Sequence, residues 1–280
     1  MLHLVTDSTS DLDQHTAGTL GVTVVPLVVR FGDQQFRDGV DLSPDDFYAR
    51  LRREPTTPTT SQPSPEDFAE VYRRRLRDPD DSVLSIHISA KLSGTLQSAS
   101  LAAKEFGGRV VALDSGSVSV GIQFLVRAAL RDIVAGCDVA TTVRNTEIRR
   151  TRIGIFVLLD TLTYLQRGGR IGRAQAFLGG VLNVKPVLRV ADGEVDPQAR
   201  VRNRQQGIAR MLELVAAQGP LEAVSTMHSG AAEMLDEVRR RLVAAYPELD
   251  LIAGQLGPVV GTYAGPDAIG VAFLRAAGGA

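Results

Sequence analysis

Ser89, Ser93, Gly94 and Thr95 follow one another closely in the segment SVLSIHISAKLSGTLQSA (82–99), where one hydrophobic period gives way to another. Before them, Val83, Leu84, Ile86 and Ile88 read as a buried strand. After them, Leu92, Leu96, Ala99, Ala103 and Phe106 recur at helical spacing up to Gly107-Gly108, a C-terminal cap signal. A strand-to-helix turn built this way gathers hydroxyls and unpaired N–H groups where the helix dipole favours negative charge. Two readings of Ser93 stay open: a plain helix cap, or a contact to an anionic ligand.

The residue types narrow the anion. Neither the phosphate-loop pattern GxxxxGK[ST] nor the dinucleotide pattern GxGxxG occurs, and Lys91 is the only cation in the turn. A carboxylate, with one charge and two acceptor oxygens, suits hydroxyl donors better than a doubly charged phosphate does. A second hydroxyl cluster, Thr60-Ser61-Gln62-Pro63, lies in the proline-rich stretch EPTTPTTSQPSPEDF. Its composition reads as an exposed linker. It reads equally as a stiff loop facing Ser93 from the other side of a carboxylate.

Elements that would position these groups follow from the pattern. Residues 2–6 form a short strand ending at Asp7, either a turn-forming carboxylate or a ligand contact, and Ser10 caps a helix over 11–20 closed by Gly21. Residues 22–42 alternate around Gly32-Asp33 as a β-ribbon outside the main sheet. Ser43-Pro44 and Ser64-Pro65 each open a helix. Residues 109–115 form a strand, 118–135 a helix apolar nearly all round that suits a position between domains or in a dimer contact, and a polar helix starts at Asp138. This alternation predicts a doubly wound α/β domain over 1–150.

Beyond Arg152 the grammar changes to a strand, two short helices, a hairpin turning at Asp192-Gly193, then a helix at 204–218, a strand at 221–228, a helix at 231–245, a strand at 249–256 and a final helix at 266–276. A two-layer α+β domain over 151–280 is expected, with the boundary near 148–153.

Bulk properties exclude several classes. The chain has 280 residues and a formal net charge of −1, so nothing draws it to nucleic acid or anionic membrane. Cys137 is its one cysteine, which excludes an internal disulfide, and no Cys/His cluster suggests structural zinc. The opening MLHLVTDSTSD does not read as a signal peptide, and no apolar run reaches the roughly 20 residues of a membrane-spanning helix. A soluble, cytoplasmic protein is expected.

Six motifs in order, DSTSDL (7–12), TSQPSP (60–65), ISAKLSGTLQSA (88–99), LTYLQRGGRIG (162–172), KPVL with DGEV (185–195) and GPVVGTYAGPDAIGV (257–271), resemble the DegV family of bacterial fatty-acid-binding proteins. That family includes the binding subunits of bacterial fatty acid kinase. The resemblance implies a long-chain fatty acid held between two domains. Its carboxylate would meet Thr60 and Ser93, with Ser61, Gly94, Thr95 and Tyr263 around it, and its acyl chain would lie in an apolar tunnel of the second domain. It implies no cofactor and no catalysis of the chain's own. In kinase-type members a separate kinase phosphorylates the presented acid, and Arg202 and Arg170 match positions that would support that partnership. The RGGRIG arginines read equally as a solvated glycine turn.

One departure stands out. Tyr263 occupies the place of the family's usual histidine, and Asp267 that of a glycine. A phenol can donate to a carboxylate but is neither a cation nor a ready proton carrier at neutral pH. Lipid binding survives that change more easily than acyl-phosphate chemistry. Two further readings compete with a carrier: a serine hydrolase using Ser93 with His87 or His228, though GxSxG is absent, and a small-molecule sensor or interaction protein.

Overall fold

The computed structural model describes residues 1–54, 56–178, 184–230 and 232–278, so Pro55 of the proline-rich stretch and the expected helix start at 231 lie outside the described residues. The chain opens with β1 (Leu2–Asp7), whose last carboxylate caps a 3₁₀ turn over Ser8–Ser10 by accepting from the Thr9 N–H at 3.0 Å. Asp11 then turns left-handed at φ 53°, which breaks the helix expected from Ser10. The first helix, α1 (Gln14–Leu20), instead takes Asp13 as its cap, three residues later than expected, and ends at Gly21 as read from sequence.

The segment expected to be an excursion divides in two. β2 (Thr23–Val25) pairs in parallel with β1 and belongs to the main sheet. Only β3 (Val28–Phe31) and β4 (Gln34–Arg37) form a hairpin, turning at Gly32-Asp33. After α2 (Pro44–Arg53), capped by Ser43, β5 (Thr59–Ser61) adds to β3 as a third antiparallel strand. The threonine-rich stretch is therefore a strand rather than a free loop. Its partner, about thirty residues upstream, supplies the hydrogen bonds that composition could not reveal.

Next come α3 (Pro65–Arg75), with a Ser64–Asp67 capping box, β6 (Ser82–His87), α4 (Thr95–Ala103), β7 (Val110–Asp114), α5 (Val120–Val134) and α6 (Val139–Arg150). The parallel sheet runs β2-β1-β6-β7. The order reverses between β1 and β6, the place where open α/β sheets bind ligands beyond their carboxyl ends.

The second half holds β8 (Ile153–Leu158), α7 (Thr163–Arg167), β9 (Lys185–Ala191), β10 (Glu194–Val201), α8 (Arg204–Ala216), β11 (Leu221–His228), α9 (Ala232–Ala245), β12 (Ile252–Gln255), α10 (Pro258–Ala264) and β13 (Ile269–Arg275). They build a six-stranded sheet, β10-β9-β8-β13-β11-β12. The helix expected at 266–276 is the central strand β13. Covered on both faces between β8 and β11, IGVAFLR needs no polar alternation, and a short unbroken apolar run does not distinguish strand from helix. The local helix lies just before it, opened by Pro258 and stopped at Gly265, φ 71°.

Side chains of β8 alternate across this sheet. Phe156 and Leu158 join the core under α8 and α9, while Ile155 joins the core shared with the first half. Between the two sheets runs α5, with Ile122, Leu125, Val126 and Ala129 fully buried. Its apolar circumference is accounted for by contact with β1 and β6 on one side and β8, β11 and β13 on the other.

Candidate functional site

A cavity of about 430 Å³ opens at the carboxyl ends of β1 and β6, against the inner face of the six-stranded sheet. Its walls are mainly aliphatic: Ile155 and Val157 from β8, Leu188 and Val190 from β9, Met227 from β11 and Val259 from α10. Polar groups enter from a few elements only. Thr60 and Ser61 come from β5, Gln62 from the residue after it, Ser93 from the turn before α4, Tyr263 from α10 and Arg170 from the loop after α7.

These polar groups are linked. The hydroxyls of Thr60 and Tyr263 lie 2.5 Å apart, joining β5 to α10. The Tyr263 ring packs over Gly168, where a Cβ would stand 2.4 Å from the ring, and the Arg170 guanidinium lies 5.3 Å from the ring centroid. Arg170 is held there by donating to the carbonyls of Leu92 (3.1 Å) and Gly168 (2.9 Å). The glycines of RGGR thus make room for an aromatic face and set an arginine beside it.

Gly94 occupies the N-cap position of α4, and the Ser93 hydroxyl just before it accepts the Thr95 N–H at 3.3 Å and meets the Thr95 hydroxyl at 2.9 Å. Gly94 leaves room for Gln62: a Cβ there would fall 2.2 Å from Gln62 Oε1 and push that side chain aside, and the Gln62 amide donates to Ser98 at 3.2 Å. Gln62 therefore ties the end of β5 to α4. It stood in plain sight among the hydroxyls of TSQP, but its partner glycine is more than thirty residues away. Thr9 and Ser119 also line the cavity, and Ser119 does so at φ 55°, its N–H donating to the Thr9 carbonyl at 2.7 Å.

Other candidates fall elsewhere. Lys91 pairs with Glu194 at 2.8 Å and fastens the hairpin tip to the first half, while Arg173 pairs with Glu194 and Asp196 within the second half. Arg202 is exposed beyond β10 and does not line the cavity. Asp7 is fully buried and braces the switch point, accepting from Ile88 N–H at 3.1 Å and meeting His87 Nδ1 at 2.9 Å. His87 Nε2 meets Ser85 Oγ at 2.6 Å, and Ser85 meets the Tyr72 hydroxyl at 2.9 Å. This Asp–His–Ser order resembles a hydrolytic triad, yet all three side chains are wholly enclosed and Ser85 lies outside the cavity lining. No histidine among the described residues hydrogen-bonds Ser93. His228 is half-buried away from the cavity, and burial lowers its proton affinity.

No helix among the described residues is long and apolar enough to cross a membrane, and none of their His, Cys, Asp and Glu groups could hold a metal ion.

Comparison with known proteins agrees with this geometry. Residues 1–276 match the family model described as "Uncharacterised protein, DegV family". A DegV domain-containing protein of Deinococcus radiodurans is 41% identical over 274 residues, covering 96% of this chain and 97% of its own. The structure of a fatty-acid-binding DegV family protein from Thermus thermophilus superposes with a TM-score of 0.92 at 38% identity, covering 98% of this chain and 99% of that one. A stearic-acid-binding protein from Eubacterium ventriosum gives a TM-score of 0.91 at 28% identity, covering 98% of each chain.

Proposed function

The chain belongs to the DegV family, and from that premise we propose that it binds one long-chain fatty acid as a carrier without catalysis of its own. The carboxylate is received by Thr60 and Ser93, with Ser61, Gly94, Thr95 and Tyr263 around it, and the acyl chain lies along the aliphatic wall of residues 151–280. One observation carries the reading: a mainly aliphatic cavity whose polar lining includes the hydroxyls of β5, the Ser93 turn and Tyr263. Hydrogen bonds to a charged acceptor fix orientation, while each buried CH₂ contributes about 0.8 kcal/mol, so the tail supplies most of the affinity. The relatives from Thermus thermophilus, a fatty-acid-binding protein, and Eubacterium ventriosum, a stearic-acid-binding one, support the same ligand class.

Presentation of the acid to a separate fatty acid kinase is the finer part of the proposal. Arg170, beside Tyr263 on the cavity lining, is its main support, and Arg202 offers an exposed cation for a partner. A cytoplasmic setting belongs to the same proposal. Native mass spectrometry of the purified protein tests the core of it. A co-purified mass matching a C14–C20 acid, released on denaturation, is expected. A covalent acyl adduct would point to a hydrolase instead, and failure to bind added palmitate would overturn the reading.

A further inference from the structure

The opposite end of α10 from Tyr263 rests on two carboxylates. At Gly257, the residue before Pro258, a Cβ would lie 2.9 Å from Asp11 Oδ1 and 3.4 Å from Asp38 Oδ1, so the two acids face each other across one glycine. Asp11 Oδ1 accepts the Gly257 N–H at 2.9 Å, and the Val259 N–H and Ser8 hydroxyl approach Asp38. The second oxygen of each acid is closed to solvent and has no hydrogen-bond partner among the described residues. Asp38 is only 4% exposed.

Two carboxylates against one glycine, Asp38 buried and Asp11 partly exposed, repel each other, and an unpartnered buried carboxylate oxygen is costly. One proton relieves both conditions. We propose that Asp11 and Asp38 retain a proton between them that fixes the first turn of α10, making them positioning residues for Tyr263 and coupling release of the bound acid to pH. This rests on the fatty-acid reading of the cavity. Burial pushes Asp38 up to about 7 and lifts Asp11 well above the usual carboxylate range, with Asp7 adding to both; the Ser119 and Ser8 hydroxyls act in the other direction.

The surrounding charges have been placed. Asp7 on β1 is engaged by His87 of β6, and Tyr48 of α2 donates to the Leu256 carbonyl. Burial, then Asp11 and Asp38, hold the Tyr48 phenol well above its ordinary range, so it stays a neutral donor. Arg75, Arg127 and Asp13 line the cleft on the outer side of the pair. Because α10 contributes Val259, Val260, Tyr263 and Ala264 to the cavity, loosening its first turn opens the wall at the Thr60 contact.

The experiment is the dissociation rate of a fluorescent fatty acid from the full chain between pH 5.5 and 8.5, for wild type, Asp38→Asn and Asp11→Asn. The wild-type rate should rise about tenfold, the effect of a pKa difference of one unit between the closed and open states. Either asparagine variant, which mimics the protonated acid, should respond far less. Parallel slopes in all three would overturn the proposal. Two readouts need no lipid. Carboxyl-carbon NMR of the unliganded wild type should show an aspartate titrating above pH 6, and its melting temperature should fall from pH 6 to 8 relative to Asp38→Asn. Absence of any aspartate titrating in that range overturns the pair even where the variants fold poorly. Failure of lipid binding with those signals intact counts against the fatty-acid reading alone.

Discussion

The Thr60 and Tyr263 hydroxyls meet at 2.5 Å although 203 residues separate them in the chain. Thr60 is fixed by strand pairing with Val29, and Tyr263 by packing over Gly168. The contact closes one side of the cavity. Replacing it with a carboxylate would give each hydroxyl a charged acceptor in place of a neutral one.

Ser93→Ala should weaken fatty acid binding by about 1.5–3 kcal/mol, the range for hydrogen bonds to charged groups. The melting temperature should change far less, because Ser93 is only half-buried and its contact to the first N–H of α4 is long, 3.3 Å. Titration calorimetry with palmitate decides it: unchanged affinity would remove Ser93 from the site.

Free acids should bind more tightly than methyl esters of the same chain length. Esterification removes the charge that the hydroxyls and the N-terminus of α4 stabilise, while leaving the apolar tail intact. Competition against one fluorescent fatty acid measures both. Equal affinities would mean that the tail alone drives binding.

Gly94→Ala should reduce the preference for acid over ester, because its methyl group displaces the Gln62 amide that links the end of β5 to α4 beside the cavity. Adding Gln62→Ala to that variant removes the obstruction and should recover part of the loss in α4 stability, though not the amide's link to Ser98. A double variant no more stable than Gly94→Ala would show that the close approach is not what makes glycine necessary.

Tyr263 should limit service to a kinase. During phosphoryl transfer, stabilisation comes from positioned donors and cations, and a neutral phenol supplies one donor and no charge. At saturating lipid the wild type should yield little acyl-phosphate with a fatty acid kinase. Tyr263→His should yield more, with binding changed little. Robust turnover by the wild type would defeat this expectation.

Much of the fold was legible where local chemistry decides it. Ser43-Pro44 and Ser64-Pro65 start helices because cap and first-turn preferences lie within four residues, and Asp192-Gly193 turns a hairpin with both residues at positive φ. Legibility failed where a distant partner decides. β5 exists because β3 pairs with it, and β13 is a strand because β8 and β11 pair along both its edges. At the site, residue types identified the hydroxyls around Ser93 and Thr60. The purposes of Gly94 and Gly168 became visible only with Gln62 and the Tyr263 ring against them.

The pairing of β5 with β3, Thr59 opposite Arg30, Thr60 opposite Val29 and Ser61 opposite Val28, also determines what sequence change this protein can absorb. Successive strand residues point to opposite faces, so a slip by one position turns Thr60 away from Tyr263 and presents a neighbour in its place. A change of register between β3 and β5 would alter the binding chemistry without replacing any residue that performs it.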